Sequence, residues 1–233
     1  MYQSRRYFTL FNNMTQYYVE TDGKIYLIES REVLSFPCSK EEIPFEIQPK
    51  AKMEIESEEI IYSEPVLSYH PQRWLNKEDV PLLADVDPIV RKAVNFSLPR
   101  IVVEAVIFDS NQVLLVKPSR GYNKDHWTLP GGFLVYGETP EEAVRREVEE
   151  EVGVKPETVE LLNVYSAIGS KNSYQWVIFY FSAEFPGDIR GLQPKHEIKQ
   201  LNWCESDKAT EVIHSPLMQE GFRRSLDNDT EKN

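Results

Sequence analysis

Cysteine is nearly absent from this chain. Its 233 residues carry two, Cys38 and Cys204, far apart and in no CxxC spacing, which argues against a zinc ribbon and against a disulfide scaffold and reads both as reduced thiols. Positive charge is also short: 26 Lys and Arg stand against 38 Asp and Glu, a net charge of −12. With no basic surface, nucleic acid is not the expected main partner, although an acidic protein still binds nucleotides when metal screens the phosphates. No apolar run reaches the roughly 18 residues of a membrane-spanning helix. The opening MYQSRRYFTLFNNM lacks the apolar stretch and small-residue cleavage site of a secretory signal, so no membrane association is expected and the expected compartment is the cytoplasm.

What remains is enough for real cores, with 41% hydrophobic residues. The first 98 residues read as a small β-rich domain. QYYVETDGKIYLIE places two β-type runs about Asp22-Gly23, a hairpin signal. A further run over 33–36 stops at Pro37, a connection with a short extended piece follows, and 53–69 alternates again. Pro71, Pro81 and Pro88 punctuate what comes next, and a linker helix is expected over 88–96. Trp74, near His70 and Arg73, reads as a ring packed under a loop.

From Arg100 on, strands and helices interleave, which implies a layered α/β domain over 99–233. Strands are expected over 101–108 and 112–117, joined at 109–111, then over 127–129, 159–168, 174–185 and 197–203. A closing helix is expected over 217–226.

Glutamate is in excess, and it is spaced. In GFLVYGETPEEAVRREVEEEVGV, residues 132–154, Thr139 stands at a helix N-cap, Pro140 at the first helical position and Glu142 where it completes a capping box, while Gly153 supplies the stop. Within that helix Glu147, Glu150 and Glu151 fall at i, i+3 and i+4 and project from one face. Val144, Val148 and Val152 form a second stripe about 110° round. Three carboxylates so close repel one another. A hard divalent cation relieves this by taking oxygen ligands at about 2.0–2.1 Å and filling its other positions with water and phosphate oxygens. Charge patterning alone is more often a solvated face; the surrounding residues decide for the metal.

Those residues are Gly132, then Glu138, then Arg146-Glu147-Val148-Glu149-Glu150-Glu151-Val152-Gly153-Val154, a spacing that resembles the Nudix box with every defining position filled. HWTLPGG at 126–132 resembles the family's entry into the box. The resemblance covers 99–226 and implies a Nudix-type α/β/α sandwich with a mixed sheet, preceded by the small β-rich N-terminal domain. It implies that Glu147, Glu150 and Glu151 bind Mg²⁺ or Mn²⁺, that Glu138 contributes directly or through water, and that Arg146 holds a box glutamate in place. The reaction it implies is hydrolysis of a nucleoside diphosphate linked to another moiety.

ADP-ribose or a nucleotide sugar is the first choice of substrate, on the likeness of LLNVYSAIGSKNSYQWVIFYFSAEF to that group. The arrays of NADH and coenzyme A pyrophosphatases are absent, as is the proline that often marks ADP-ribose enzymes. The general base stays open among Glu151, Glu138 and Glu197, the last being either a further carboxylate near the metals or a surface residue. His126 abuts the glycine turn and could reach phosphate, whereas His70, His196 and His214 read as polar surface. Tyr165, Tyr174 or Trp176 could stack on a base, or belong to the strand core. The alternative is a non-catalytic Nudix-fold nucleotide sensor, against which every carboxylate is present. A homodimer is expected by resemblance alone.

Overall fold

The computed structural model describes residues 15–169, 174–195 and 197–230. They form two compact units that divide between Leu98 and Pro99. In the first, β1 (Gln16–Thr21) and β2 (Lys24–Tyr26) pair through Asp22 and Gly23. Both turn residues have positive φ, 48° and 70°, the conformation of the two-residue turn that Asp-Gly favours. Strands β3 (Ile28–Ser30) and β4 (Val33–Ser35) make a separate pair. The expected connection stays without strand as far as residue 46, but strand resumes sooner than expected: β5 (Ile47–Ile55) and β6 (Glu58–Pro65) form a long hairpin. Its turn is Glu56-Ser57, at φ 52° and 71°, residues that carry none of the usual glycine or asparagine signal, which is why the alternation read as one stretch.

β1 also pairs parallel with β6, and with β7 (Leu75–Asn76) the sheet order is β5-β6-β1-β2-β7. Helix α1 (Pro88–Ser97) begins as expected, its first turn capped by Asp87, whose carboxylate accepts the Ile89 N–H at 3.0 Å. Ile89, Val90, Ala93 and Val94 pack with Tyr18, Ile25, Phe36 and Ile60 in this unit's core. Trp74 packs against Tyr26 and Phe45, ring centroids 5.3 and 5.2 Å apart.

The second unit runs β8 (Arg100–Val106), β9 (Phe108–Asp109), β10 (Gln112–Pro118), β11 (Gly131–Phe133), α2 (Pro140–Val152), β12 (Thr158–Ile168), β13 (Gln175–Glu184), β14 (Ile198–Glu205), α3 (Ser206–Val212) and α4 (Pro216–Thr230). Four strands make a mixed sheet, β11-β8-β13-β12, in which only β8 and β13 are parallel; β14-β10-β9 make a second, antiparallel sheet. Side chains of 102–107 alternate between two cores. Val103, Ala105 and Ile107 meet Val144, Val148 and Val152 of α2. Val102 and Val106 meet Ala209 of α3 and Phe222 of α4. The mixed sheet therefore lies between helices, the α/β/α sandwich expected.

Two expected strands are relocated. The run 101–108 breaks at Ile107, because β8 lies in the mixed sheet while β9 and β10 pair in the other. At 127–129 there is only a bridge, Thr128 exchanging N–H···O bonds with Val116 at 2.9 and 3.0 Å. The strand proper is β11, three residues later, because the chain crosses from one sheet to the other at Leu129-Pro130. The last strand runs two residues past its expected end, and α3, too short for a periodic signal, was not foreseen.

Candidate active site

The carboxylates are aimed by how α2 is built. Thr139 Oγ1 accepts the Glu142 N–H at 3.3 Å, Glu142 Oε2 accepts the Thr139 N–H at 2.8 Å, and Gly153 ends the helix at φ 84°. With Val144, Val148 and Val152 buried on one side, the rotation of the helix is fixed. Glu150 is left half exposed, Glu147 mostly covered and Glu151 only 6% exposed.

Two groups gather these side chains. Arg146 forks onto Glu138, with Nε to Oε2 at 3.1 Å and Nη2 to Oε1 at 2.8 Å; its Nη1 donates to Glu147 at 2.7 Å and to Glu150 at 3.4 Å. Nη2 also reaches the Phe133 carbonyl at 3.1 Å. One guanidinium thus holds three carboxylates and the strand before them, a task for which its rigid planar fork is suited. The second group is the Gly131 N–H, which donates to Glu151 Oε2 at 3.0 Å. Glu138 is further fixed by the Val135 N–H at 2.8 Å.

The glycine pair is explained by the same packing. A Cβ on Gly131 would lie 2.1 Å from the Val103 carbonyl oxygen, and one on Gly132 would lie 2.5 Å from Glu147 Oε1. Sequence reasoning also passed over Glu104 of β8, beside Gly131, which is only 3% exposed and, among the described residues, has no hydrogen-bond partner at Oε2. The signal was available: a glutamate inside the apolar run IVVEAVIF is a buried charge that needs an explanation.

Burial pushes Glu151 up to about 8, against the pull of the Gly131 N–H and with help from Glu147 and Glu150. Burial raises Glu147 too, opposed by Arg146, and raises Glu104 well above the carboxylate range, with Glu151 and Glu147 adding to it. Glu138 is lowered, chiefly by its bonds to Arg146. The raised value at Glu151 sets a sign for stability. The folded state holds that proton above the pH where the unfolded chain loses it, so metal-free protein should lose stability as pH rises from about 4.5 to about 8. Thermal melts in chelator should show the melting temperature falling across that window, with a shallower fall in Glu151→Gln; equal slopes would contradict the assignment.

The remaining sequence candidates are not among the groups that hold these carboxylates. Glu197 sits beside the start of β14 in the other sheet, ion-paired with Arg120, and is not among the groups that perturb Glu147 or Glu151. His126 stacks on His214, centroids 3.5 Å apart, and His70 approaches Asp22 at 3.3 Å; His196 lies outside the described residues. Tyr165 and Tyr174 each have a guanidinium over one ring face, Arg224 at 5.1 Å and Arg100 at 4.6 Å. Trp176 instead stands between Tyr122 and Phe133, at 5.5 and 6.0 Å between centroids. Phe133 directly follows the glycine pair, and it and Tyr122 are exposed.

Among the described residues, no three His, Cys, Asp or Glu side chains are closed into a ligand set as they stand; Arg146 and Gly131 hold the carboxylates instead. The donor chemistry is nevertheless that of a hard cation: all oxygen, mostly buried, and in excess of the one positive charge among them. The unpartnered Glu104 oxygen fits the same group.

The NUDIX domain family matches residues 98–226. The chain is 45% identical over 69 residues to an ADP-ribose pyrophosphatase of Methanocaldococcus jannaschii, covering 30% of this chain and 41% of that protein. It is 34% identical over 101 residues to the 8-oxo-dGDP phosphatase NUDT18 of Homo sapiens, covering 43% and 30%. The chain thus spans less than half the length of either curated relative. Among solved structures, a MutT NUDIX hydrolase from Burkholderia pseudomallei shares 30% identity at a TM-score of 0.46, over 57% of this chain and 98% of that one. Among the described residues no helix is long and apolar enough to cross a membrane.

Proposed function

The chain belongs to the Nudix family, and on that premise we propose that it hydrolyses the pyrophosphate bond of a nucleoside diphosphate linked to a second moiety, using Mg²⁺ or Mn²⁺. The observation that carries this reading is the gathering of Glu138, Glu147 and Glu150 on Arg146 with Glu151 on the Gly131 N–H. Glu147, Glu150 and Glu151 would hold the cation. When bound, it supplies charge neutralisation on the pyrophosphate oxygens and a more acidic water.

The chain's own residues do the rest. Arg146 spaces and orients the carboxylates, and Glu138, with both oxygens engaged by Arg146, serves to position that guanidinium. Glu151 commits Oε2 to Gly131, leaving Oε1 for a ligand and making it the residue assigned to take the water's proton. The water oxygen bonds to one phosphorus, the bridging P–O bond breaks, and the bridging oxygen leaves with the other phosphate.

For the nucleoside, Trp176 with Phe133 and Tyr122 offers an aromatic wall beside the box. Tyr165 and Tyr174 are weaker candidates because an arginine takes one face of each ring. The relatives named above act on ADP-ribose and on 8-oxo-dGDP; for this chain ADP-ribose or a nucleotide sugar is the substrate class proposed. The test is phosphate release, after phosphatase treatment, from ADP-ribose, nucleotide sugars, NADH, dinucleoside polyphosphates and 8-oxo-dGDP with either cation. Cleavage of ADP-ribose or a nucleotide sugar above the others is expected. If nothing is cleaved while a nucleotide raises the melting temperature, the protein is a sensor instead.

A further inference from the structure

Glu104 lies directly opposite Gly131 on β11 and Tyr180 on β13. It is therefore in the middle of a sheet, on the face that carries Val102, Val106, Ile178 and Tyr180. An apolar side chain is the ordinary occupant of such a position, whereas an unpaired buried carboxyl is costly. Among the described residues no donor removes the cost at Oε2. The neighbouring Tyr180 hydroxyl donates to the Met218 carbonyl at 3.4 Å, and Arg146 is spent on Glu138, Glu147 and Glu150.

The carboxylate reaches toward Gly131. Oε2 is 3.1 Å from where a Gly131 Cβ would stand, while Glu151 accepts the N–H of that same glycine at 3.0 Å and Glu147 Oε1 is 2.5 Å from a Cβ on Gly132. Carboxylates from β8 and α2 thus meet at two adjacent residues that have no side chains. An anionic or neutral ligand would leave their mutual repulsion in place; a small hard cation removes it.

We propose that Glu104 is a fourth carboxylate of the divalent-cation site, reaching it from β8 beside Gly131, where a Cβ would crowd Oε2 at 3.1 Å. The inference rests on the cation-dependent reading above. Calorimetric titration of Mn²⁺ into the full chain tests it, comparing wild type, Glu104→Gln, Glu104→Met and Glu150→Gln, with thermal melts of each in chelator. Both Glu104 variants should keep or raise the metal-free melting temperature, since an unpaired buried carboxyl is gone. Their Mn²⁺ dissociation constants should rise about ten- to a hundredfold.

Affinities within twofold of wild type in both variants would overturn the proposal, as would a lower metal-free melting temperature with unchanged affinity, the pattern of a purely structural residue. If Glu150→Gln weakens binding and the Glu104 variants do not, this inference alone fails. If wild type binds no Mn²⁺, it falls together with the reading it rests on.

Discussion

Glu150→Gln and Glu151→Gln are each expected to lower kcat by about 10³-fold, the scale on which a single preorganised electrostatic group acts in a water-poor site. The two variants differ usefully in what else they disturb. Glu150 is half exposed and loses only a 3.4 Å contact with Arg146, so its melting temperature should stay close to that of wild type. Glu151 is buried, but a glutamine oxygen can still accept the Gly131 N–H that now binds Oε2, so its fold should also survive. Loss of turnover with the fold intact assigns the carboxylates to chemistry; turnover within tenfold of wild type in both would remove them from it.

Gly131→Ala should be the most damaging single methyl in the second unit. Its Cβ would stand 2.1 Å from the Val103 carbonyl oxygen and 3.0 Å from the Glu104 Cα, at φ +157°. Both contacts are backbone atoms of β8, which is held between β11 and β13 and cannot withdraw. A loss of about 3 kcal/mol or more is expected, within the range of severe overpacking, read as a large fall in denaturation midpoint or as insoluble protein. Gly132→Ala offers the contrast. Its Cβ meets the end of the Glu147 side chain, Oε1 at 2.5 Å, which can move aside, so the fold should persist while cation binding and turnover fall. Similar stability losses in the two variants would contradict this account of the glycine pair.

Local signals were legible in the sequence, and signals that depend on a distant partner were not. The cap, the capping box and the stop of α2 act within one helix, and all three are formed at Thr139, Glu142 and Gly153. The same holds for Asp22-Gly23, whose residue types favour the turn they make. The Glu56-Ser57 turn carries no such preference, so the β5–β6 hairpin was hidden inside an alternating run. The spacing of Glu147, Glu150 and Glu151 could be read from helical geometry alone. That Arg146 would bind Glu138, Glu147 and Glu150 together depends on how the 133–138 turn folds back over the helix. Glu104 passed as one letter in an apolar strand because its meaning comes from Gly131, its neighbour only across β11 and β8. Tyr165 and Tyr174 are legible in the sequence only as aromatic residues of expected strands; the arginines that cover them come from α4 and β8.

The most direct test is the rate of ADP-ribose hydrolysis by the full chain, followed by ³¹P NMR, first in chelator and then as Mg²⁺ or Mn²⁺ is returned. The account predicts no cleavage without cation and a rate that follows cation occupancy, yielding two phosphomonoesters from one pyrophosphate. Cleavage that is indifferent to chelator, or an inert protein at saturating cation toward ADP-ribose and every nucleotide sugar, would contradict it.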